Sequence, residues 1–436
     1  MADAILHDYP ALREKYYEIR RAGLPVVYLI PKKRSTFYAV LRVGIGSYDR
    51  FYREGDKICS VIPGTAHFLE HKLFANPDGS DAMERLRDLG ADANAYTVGT
   101  STGYLFNCRD NFAASLHELL SFVSQPCFTR ENVELEKKII LQEAAMYVDS
   151  PSSRLTRGAL RQLYREHPIR DEIVGTPGSI KRITPAHLYR VYRAFYHTGN
   201  MQLFVAGDLT PDDLLSALSD VAMPTREGNF RVPPPSDAGD SVSSVRVFRR
   251  RVSKPLFAVT RAFPEPAGST REKHLEMLAL SVVNAHLFGT SGALYSALKD
   301  DGLLTSPFRC VAEWNPGVCF VLASGQSACP RKVYERIRAH VRNLTETGIS
   351  ERDVSRLVRA QYAEEVASFD DVEDLVDEFC EVIPDGVDPF AIAELFGSVT
   401  TGYVNAVLQK YYAGDRLNLT VIRPGRNNPQ ESEDEE

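Results

Sequence analysis

The sequence predicts an α+β protein of two similar domains, each an antiparallel-rich sheet packed on helices. Three observations carry this expectation. First, residues 224–244 are rich in proline, glycine, serine and aspartate, with three consecutive prolines at 233–235, near the middle of 436 residues. Such composition favours extended, exposed chain and reads as a linker. Second, the segments on either side, 1–223 and 245–425, follow one coarse order of strands, a helical segment, a strand pair and a run of helices. Third, each segment ends on a strand, at 201–206 and at 417–422.

The elements are signalled in order. Strands are expected at 25–30 and at 36–45, where Phe37, Ala39, Leu41 and Val43 alternate with other residues. A helix starts at Gly64 or Thr65 and packs Phe68, Leu69, Leu73 and Phe74 into a core. Another runs from near Ser80 and ends at Gly90. Asp110 and Thr129 read as N-caps. Residues 131–148 form a helix with Val133, Ile139, Ile140 and Met146 inward. Thr184-Pro185 and Thr210-Pro211 each place a capping threonine before a proline at the first helical position. The second segment opens with strands at 245–248 and 256–263. The acidic end, 426–436, reads as a solvated, disordered tail.

Bulk properties exclude several classes. With 44% hydrophobic and 25% charged residues the chain has globular composition. A net charge of −7 argues against nucleic acid as a partner, because that binding rests on neutralising phosphates. Seven widely spaced cysteines without a CxxC suit neither a disulfide framework nor a thiolate zinc site. They suit a reducing compartment. The first residues lack the pattern of a signal peptide. No apolar run approaches 18 residues, so no membrane span is expected, and the default location is the cytoplasm.

The chemistry concentrates in His67-Phe68-Leu69-Glu70-His71. Histidines four apart lie about 40° from each other around a helix, so both imidazoles project from one face. That spacing can grip one metal ion. Glu70 borders the same face, where its carboxylate could take a proton from water. Zinc accepts imidazole and carboxylate, and a catalytic site needs three protein ligands with one position open. A third ligand is therefore required. Glu136 and Glu143 are seven apart in the helix expected over 131–148 and share one of its faces. Glu143 could bind the metal, with Glu136 behind it orienting a ligand. Taken singly, a histidine pair of this kind also occurs as a solvated face, and the two glutamates could be surface charges pairing with Lys137 and Lys138.

HxxEH is the inverted zinc-peptidase motif. With Glu143 following His71 by 72 residues and Glu136 seven before it, the chain resembles the pitrilysin/insulinase family of zinc metallopeptidases, the inverzincins. Asn94-Ala95-Tyr96-Thr97 resembles that family's cleft-lining strand, and 197–208 resembles the strand closing each family domain. The resemblance is strong over the first half and holds in outline over the second. It implies that His67, His71 and Glu143 hold one zinc per chain. Glu70 would be the general base, with Glu136 in support. A peptide substrate would add as a strand beside Asn94, Ala95 and Tyr96. The resemblance also implies a clamshell around a chamber that admits short or unfolded peptides, hence an endopeptidase.

One departure qualifies this. Active single-chain relatives carry an arginine and a tyrosine in a stretch resembling LRxxxxLGY, and these stabilise the oxyanion. Here Lys299 and Ser306 occupy those positions. The chain is thus similar to the zinc-bearing subunit of bacterial heterodimeric members, whose homologous partner supplies the arginine and tyrosine. The rival reading is a catalytically weak or inactive subunit of the same fold, one that binds peptides or is structural. Against it, His67, Glu70, His71 and Glu143 are all present.

Overall fold

The computed structural model describes residues 3–226, 231–235, 244–250, 252–315, 317–414 and 416–425. The acidic tail lies outside them, as do 227–230 and 236–243 of the expected linker. The chain forms two compact units. The first comprises Met1–Ala144, Asp171–Pro234 and Ala363–Glu394, and the second Ala145–Arg170, Pro235–Tyr362 and Leu395–Glu436.

In the first unit the strands are β1 (Asp3–Tyr9), β2 (Glu14–Arg20), β3 (Val26–Pro31), β4 (Phe37–Val43), β5 (Phe51–Glu54), β6 (Lys57–Ser60), β7 (Asp92–Thr97), β8 (Thr102–Cys108) and β9 (Met201–Gly207). Seven of them form one sheet in the order β1-β2-β3-β9-β4-β8-β7, while β5 and β6 make a separate hairpin. Only the β3–β9 pairing in that sheet is parallel. In the second unit β10 (Val245–Arg250), β11 (Leu256–Ala262), β12 (Arg309–Asn315), β13 (Val318–Gln326) and β14 (Asn418–Pro424) form a sheet in the order β10-β14-β11-β13-β12. This repeats β3-β9-β4-β8-β7 strand for strand, including the single parallel pair, now β10–β14. The internal repeat is therefore topological.

The helices are α1 (Thr65–Leu73), α2 (Ala82–Asp88), α3 (Phe112–Ser124), α4 (Arg130–Asp149), α5 (Pro151–Leu163), α6 (Pro177–Arg182), α7 (Pro185–Phe195), α8 (Pro211–Ala217), α9 (Thr270–Phe288), α10 (Ala293–Asp300), α11 (Pro330–Thr347), α12 (Glu351–Ser368), α13 (Val372–Val382), α14 (Pro389–Leu395) and α15 (Thr401–Tyr412). The Thr184 and Thr210 hydroxyls accept from the backbone N–H three residues on, as capping predicts. Thr129 does the same for α4 through the Asn132 N–H. Asp110 does not cap: the N-cap of α3 is Asn111, at φ 57°, without a side-chain bond.

The centre of the large sheet is packed on both faces. Ala39, Leu41 and Val43 of β4 face one core, with α1, α3 and α7. Tyr38 and Val40 face another, with Phe379 of α13 and Phe390 of α14. A strand buried on both faces reads as a near-continuous apolar run, which β4 and β9 do.

That second core explains why the compact units depart from a linear division into 1–223 and 245–425. Residues 363–394 belong with the first unit, since Phe369, Val372 and Leu375 pack on Tyr16, Tyr28 and Phe204. Residues 145–170 belong with the second, since α5 lies on β11 and β14. There the Tyr164 hydroxyl donates to the Cys319 carbonyl at 3.1 Å. Arg231, from the expected linker, forms a bidentate pair with buried Asp49, at 2.9 Å for each bond, within the first unit.

One further expectation is corrected. In α4, Val133 and Ile140 are buried, whereas Ile139 and Met146 are 53% and 72% exposed. Positions 139 and 140 are 100° apart on a helix and cannot share an inward face. By length and composition alone residues 270–300 could cross a membrane, but half of their most apolar stretch is buried inside the protein. Val282, Val283 and Leu287 lie in the core of the second unit. Helices apolar around most of their circumference are those the core surrounds. All seven cysteines are free.

One acidic pair makes stability depend on pH. Glu378 of α13 is pushed up to about 9 by burial and by the hydrogen bond and charge of Glu365. The folded state thus holds a proton that the unfolded chain releases near pH 4.5, so stability falls as pH rises between these values. Glu378→Gln is expected to flatten the decline of Tm between pH 5 and about 9. Thermal melts of both proteins across that range check it, and parallel curves would refute the assignment.

Candidate metal centre

The site begins with a helix start that only glycine allows. Gly64, the N-cap of α1, sits at φ 92°. A Cβ there would meet the Val174 carbonyl oxygen at 2.6 Å. From this start α1 buries Phe68, Leu69 and Leu73 completely and packs across β7 and β8. Those three positions set which side of the helix is hidden, and with it the approximate rotation. The same rotation presents His67, Glu70 and His71 together, with ligand atoms within 4.8 Å of one another. The two imidazole centroids are 4.5 Å apart.

Helix α4 brings up the two glutamates. Glu143 Oε1 lies 3.5 Å from His67 Nε2 and Glu143 Oε2 lies 3.8 Å from His71 Nε2. Both distances exceed a good N–H···O bond. They approach the separation of roughly 3.3 Å between donors that each sit about 2.0–2.1 Å from one tetrahedral ion. Glu136 Oε1 lies 3.0 Å from His71 Nδ1, and Lys72 Nζ lies 3.5 Å from Glu136 Oε2. With Nδ1–H donating to Glu136, His71 Nε2 keeps its lone pair free toward Glu143, the tautomer a metal ligand needs.

Glu70 is held differently. The Thr97 hydroxyl of β7 donates to Glu70 Oε2 at 2.5 Å. Glu70 forms a three-donor group with the two histidines, yet one of its oxygens is already engaged. Glu143 instead turns one oxygen to each imidazole. The four side chains thus divide into His67, His71 and Glu143 facing one another, and Glu70 beside them on a hydroxyl tether.

The donor set fits zinc. His67 is buried, and among the described residues its Nδ1 has no hydrogen-bond partner and its Nε2 faces the Glu143 oxygen at 3.5 Å. Burial, with the charge of His71 adding, holds His67 down at about 4, so it is neutral at pH 7. Burial opposes charge on His71 as well, but the Glu136 hydrogen bond and three nearby carboxylates outweigh it and raise its pKa. Burial likewise works against the Glu136 carboxylate, and the His71 bond and Lys72 bring it below the ordinary range. Burial raises Glu70 against the pull of Thr97 and His71. Three carboxyl groups around two imidazoles and one lysine leave an excess of negative charge that a cation would balance.

The strand residues are placed in two ways. Among the described residues β7 pairs only with β8, so its outer edge has no strand beside it there. Ala93 and Ala95 lie on the α1 side and Tyr96 on the other. The Tyr96 ring packs over Gly103, where a Cβ would approach it to 2.4 Å. Asn94 Oδ1 accepts from the Ala95 N–H at 2.9 Å. What Asn94, Ala95 and Tyr96 offer a ligand is mainly their backbone edge. Lys299 and Ser306 are exposed in the second unit, on α10 and in the turn after it.

Thr97 and Lys72 were not singled out as site residues in the sequence. Thr97 could have been, because strand alternation puts it on the side of Ala93 and Ala95, facing α1. Lys72 carried no signal, since a lysine after HxxEH is ordinarily solvated.

Comparison with known proteins gives the family of the chain. The family model Insulinase (Peptidase family M16) matches residues 40–177, and the model Peptidase M16 inactive domain matches residues 182–361. An uncharacterized zinc protease of Bacillus subtilis, YmfH, is 32% identical over 432 residues, covering 96% of this chain and 98% of its own. The crystal structure of a putative M16-like peptidase from Alicyclobacillus acidocaldarius is similar, with a TM-score of 0.88 at 28% identity over 96% of this chain and 100% of its own. A Helicobacter pylori protease shares the fold at 16% identity, with a TM-score of 0.79 over 97% of this chain and 100% of its own.

The Glu136–His71 contact yields a test. Glu136→Ala is expected to weaken zinc binding by roughly 10–100-fold, the usual effect of removing a carboxylate that orients a ligating histidine. Competition against a chromophoric chelator measures it, and unchanged affinity would remove Glu136 from the site.

Proposed function

Because the chain belongs to the insulinase family of zinc proteases, peptidase family M16, we propose that it is an endopeptidase acting on short or unfolded peptides, with one zinc per chain. His67, His71 and Glu143 would hold the ion. The observation that carries this is the Glu143 carboxylate, with one oxygen toward each imidazole. When bound, zinc supplies Lewis acidity toward the scissile carbonyl and toward water.

The chain's own residues do the rest. Glu70 accepts the proton of the attacking water and passes it to the leaving amine. The Thr97 hydroxyl limits Glu70 to one arc of motion, so the base is positioned before substrate arrives. Glu136 holds His71 in the tautomer and orientation of a ligand. The open edge of β7 receives the peptide backbone as an added strand, which aligns a scissile bond beside α1. A folded protein keeps its strands paired, so this edge favours extended chains.

The positions resembling those that active single-chain relatives use to stabilise the oxyanion hold Lys299 and Ser306 in this sequence, and a serine lacks the reach of a phenol. We propose that a homologous partner subunit supplies an arginine and a tyrosine for that role. The second reading, a weakly active peptide-binding subunit, draws on the same exposed Lys299 and Ser306.

Two measurements separate these readings. Glu70→Gln is expected to retain zinc, seen by elemental analysis, and to lose cleavage by about 10²–10⁴-fold. Zinc-free wild-type protein would defeat the assignment. Turnover by the purified chain alone, matching that of its complex, would defeat the partner proposal.

A further inference from the structure

The histidine at 187 has no place in the ligand set, yet it is buried and reaches the helix that carries that set. α1 lacks the usual means of anchoring a helix start. Its N-cap is Gly64, which offers no side chain, and its first turn holds no acidic residue. A capping side chain at 64 is blocked by the Val174 carbonyl. The anchoring comes from the next residue. Thr65 is fully buried, and its Oγ1 lies 2.6 Å from the Ile62 carbonyl oxygen and 3.1 Å from His187 Nε2. On the other side of the ring, Arg190 Nη2 lies 3.0 Å from His187 Nδ1.

Proton bookkeeping assigns every hydrogen in this chain. A guanidinium only donates, so Nδ1 is the acceptor and carries no hydrogen. A neutral imidazole then has its hydrogen on Nε2, which donates to Thr65 Oγ1. The Thr65 hydroxyl is left to donate to the Ile62 carbonyl. In this tautomer the Ile62 N–H, 3.4 Å from Nε2, faces another donor and makes no bond. The imidazole must be neutral for the sequence to close, since an Nδ1–H would confront Arg190. Burial, helped by the Arg190 charge, holds His187 down at about 4 and keeps it so at pH 7. The histidine is itself placed by α7, whose N-cap Thr184 accepts from the His187 backbone N–H at 3.2 Å.

We propose that Arg190, His187 and Thr65 form a directed hydrogen-bond relay that sets the start of α1 and so positions His67, Glu70 and His71 against Glu143. These are positioning residues, since none of the three faces the ligand atoms. The leverage follows from length. α1 spans nine residues, little more than two turns, and His67 and His71 stand two and six residues past Thr65. A rotation or slip at the start reaches both imidazoles almost undiminished. Because buried hydrogen bonds are directional, the relay fixes the rotation of the helix as well as its stability.

The proposal rests on the zinc-peptidase reading, so its tests include measurements that do not need turnover. Thr65→Val keeps the shape of the side chain and removes the hydroxyl. It is expected to weaken zinc binding, by chelator competition, about tenfold. It is also expected to lower kcat by roughly 10–100-fold with KM changed by less than about twofold. Thr65→Ser is expected to restore both. His187→Gln, which keeps an N–H donor, should lose less than His187→Leu. Separately, NMR of ¹⁵N-histidine-labelled protein, with His187→Gln assigning the signal, should show His187 protonated at Nε2 alone. That arm stands whether or not the chain binds zinc or cleaves anything. An Nδ1-protonated His187 would overturn the relay. So would a Thr65→Val protein that melts lower while keeping zinc affinity and kcat within roughly twofold of wild type, because that is the behaviour of a residue with a stability role only.

Discussion

Two turns of helix have to satisfy two demands at once. α1 must turn Phe68, Leu69 and Leu73 into the core, and it must present two imidazoles and a carboxylate to a helix that is distant in sequence. Hydrophobic burial is non-directional. It fixes which side of α1 is hidden and leaves the exact rotation loosely set. The directional contacts supply what burial leaves open: Glu136 on His71, Thr97 on Glu70, and Thr65 with His187 at the helix start. The remaining architecture serves this helix. The β7–β8 pair forms its floor, α4 faces its ligands, and α7 reaches its first residue.

The second unit shows what the fold is without those demands. Its sheet repeats the order and sense of five strands of the first. After β11, where the first unit follows β4 with the β5–β6 hairpin and the short α1, the second unit places the long core helix α9, with Val282, Val283 and Leu287 buried. The scaffold is thus independent of the chemistry, and the chemistry depends on a few side chains along one helix and its neighbours.

Much of this was legible in the sequence because it is local. Histidine spacing, the seven-residue step from Glu136 to Glu143, the threonine–proline helix starts and the apolar alternation of β4 all reflect fixed helix and strand periods. What was not legible is what depends on distant partners. The α13 layer over Tyr38 and Val40 could not be read from 36–45, because a strand buried on both faces and one buried on a single face differ only in what meets them. Ile139 and Met146 looked inward-facing by composition, although the period of the helix that buries Val133 and Ile140 turns them out. The hairpin β1–β2 was missed, since exposed residues dominate its first strand. His187 stands 122 residues from Thr65, and an isolated histidine carries no signal of its neighbours.

Thr97 holds two positions at once. Its backbone belongs to the open edge strand, and its hydroxyl is bonded to Glu70. A peptide added to this edge, as proposed, would stiffen the strand along its length, and the stiffening would pass through this hydroxyl to the carboxylate. Thermodynamic linkage makes the effect reciprocal. Whatever changes the charge or placement of that carboxylate must also change, by the same free energy, how firmly the edge accepts a guest. On the proposed function, docking and proton handling would be two readings of a single equilibrium, joined at one oxygen atom.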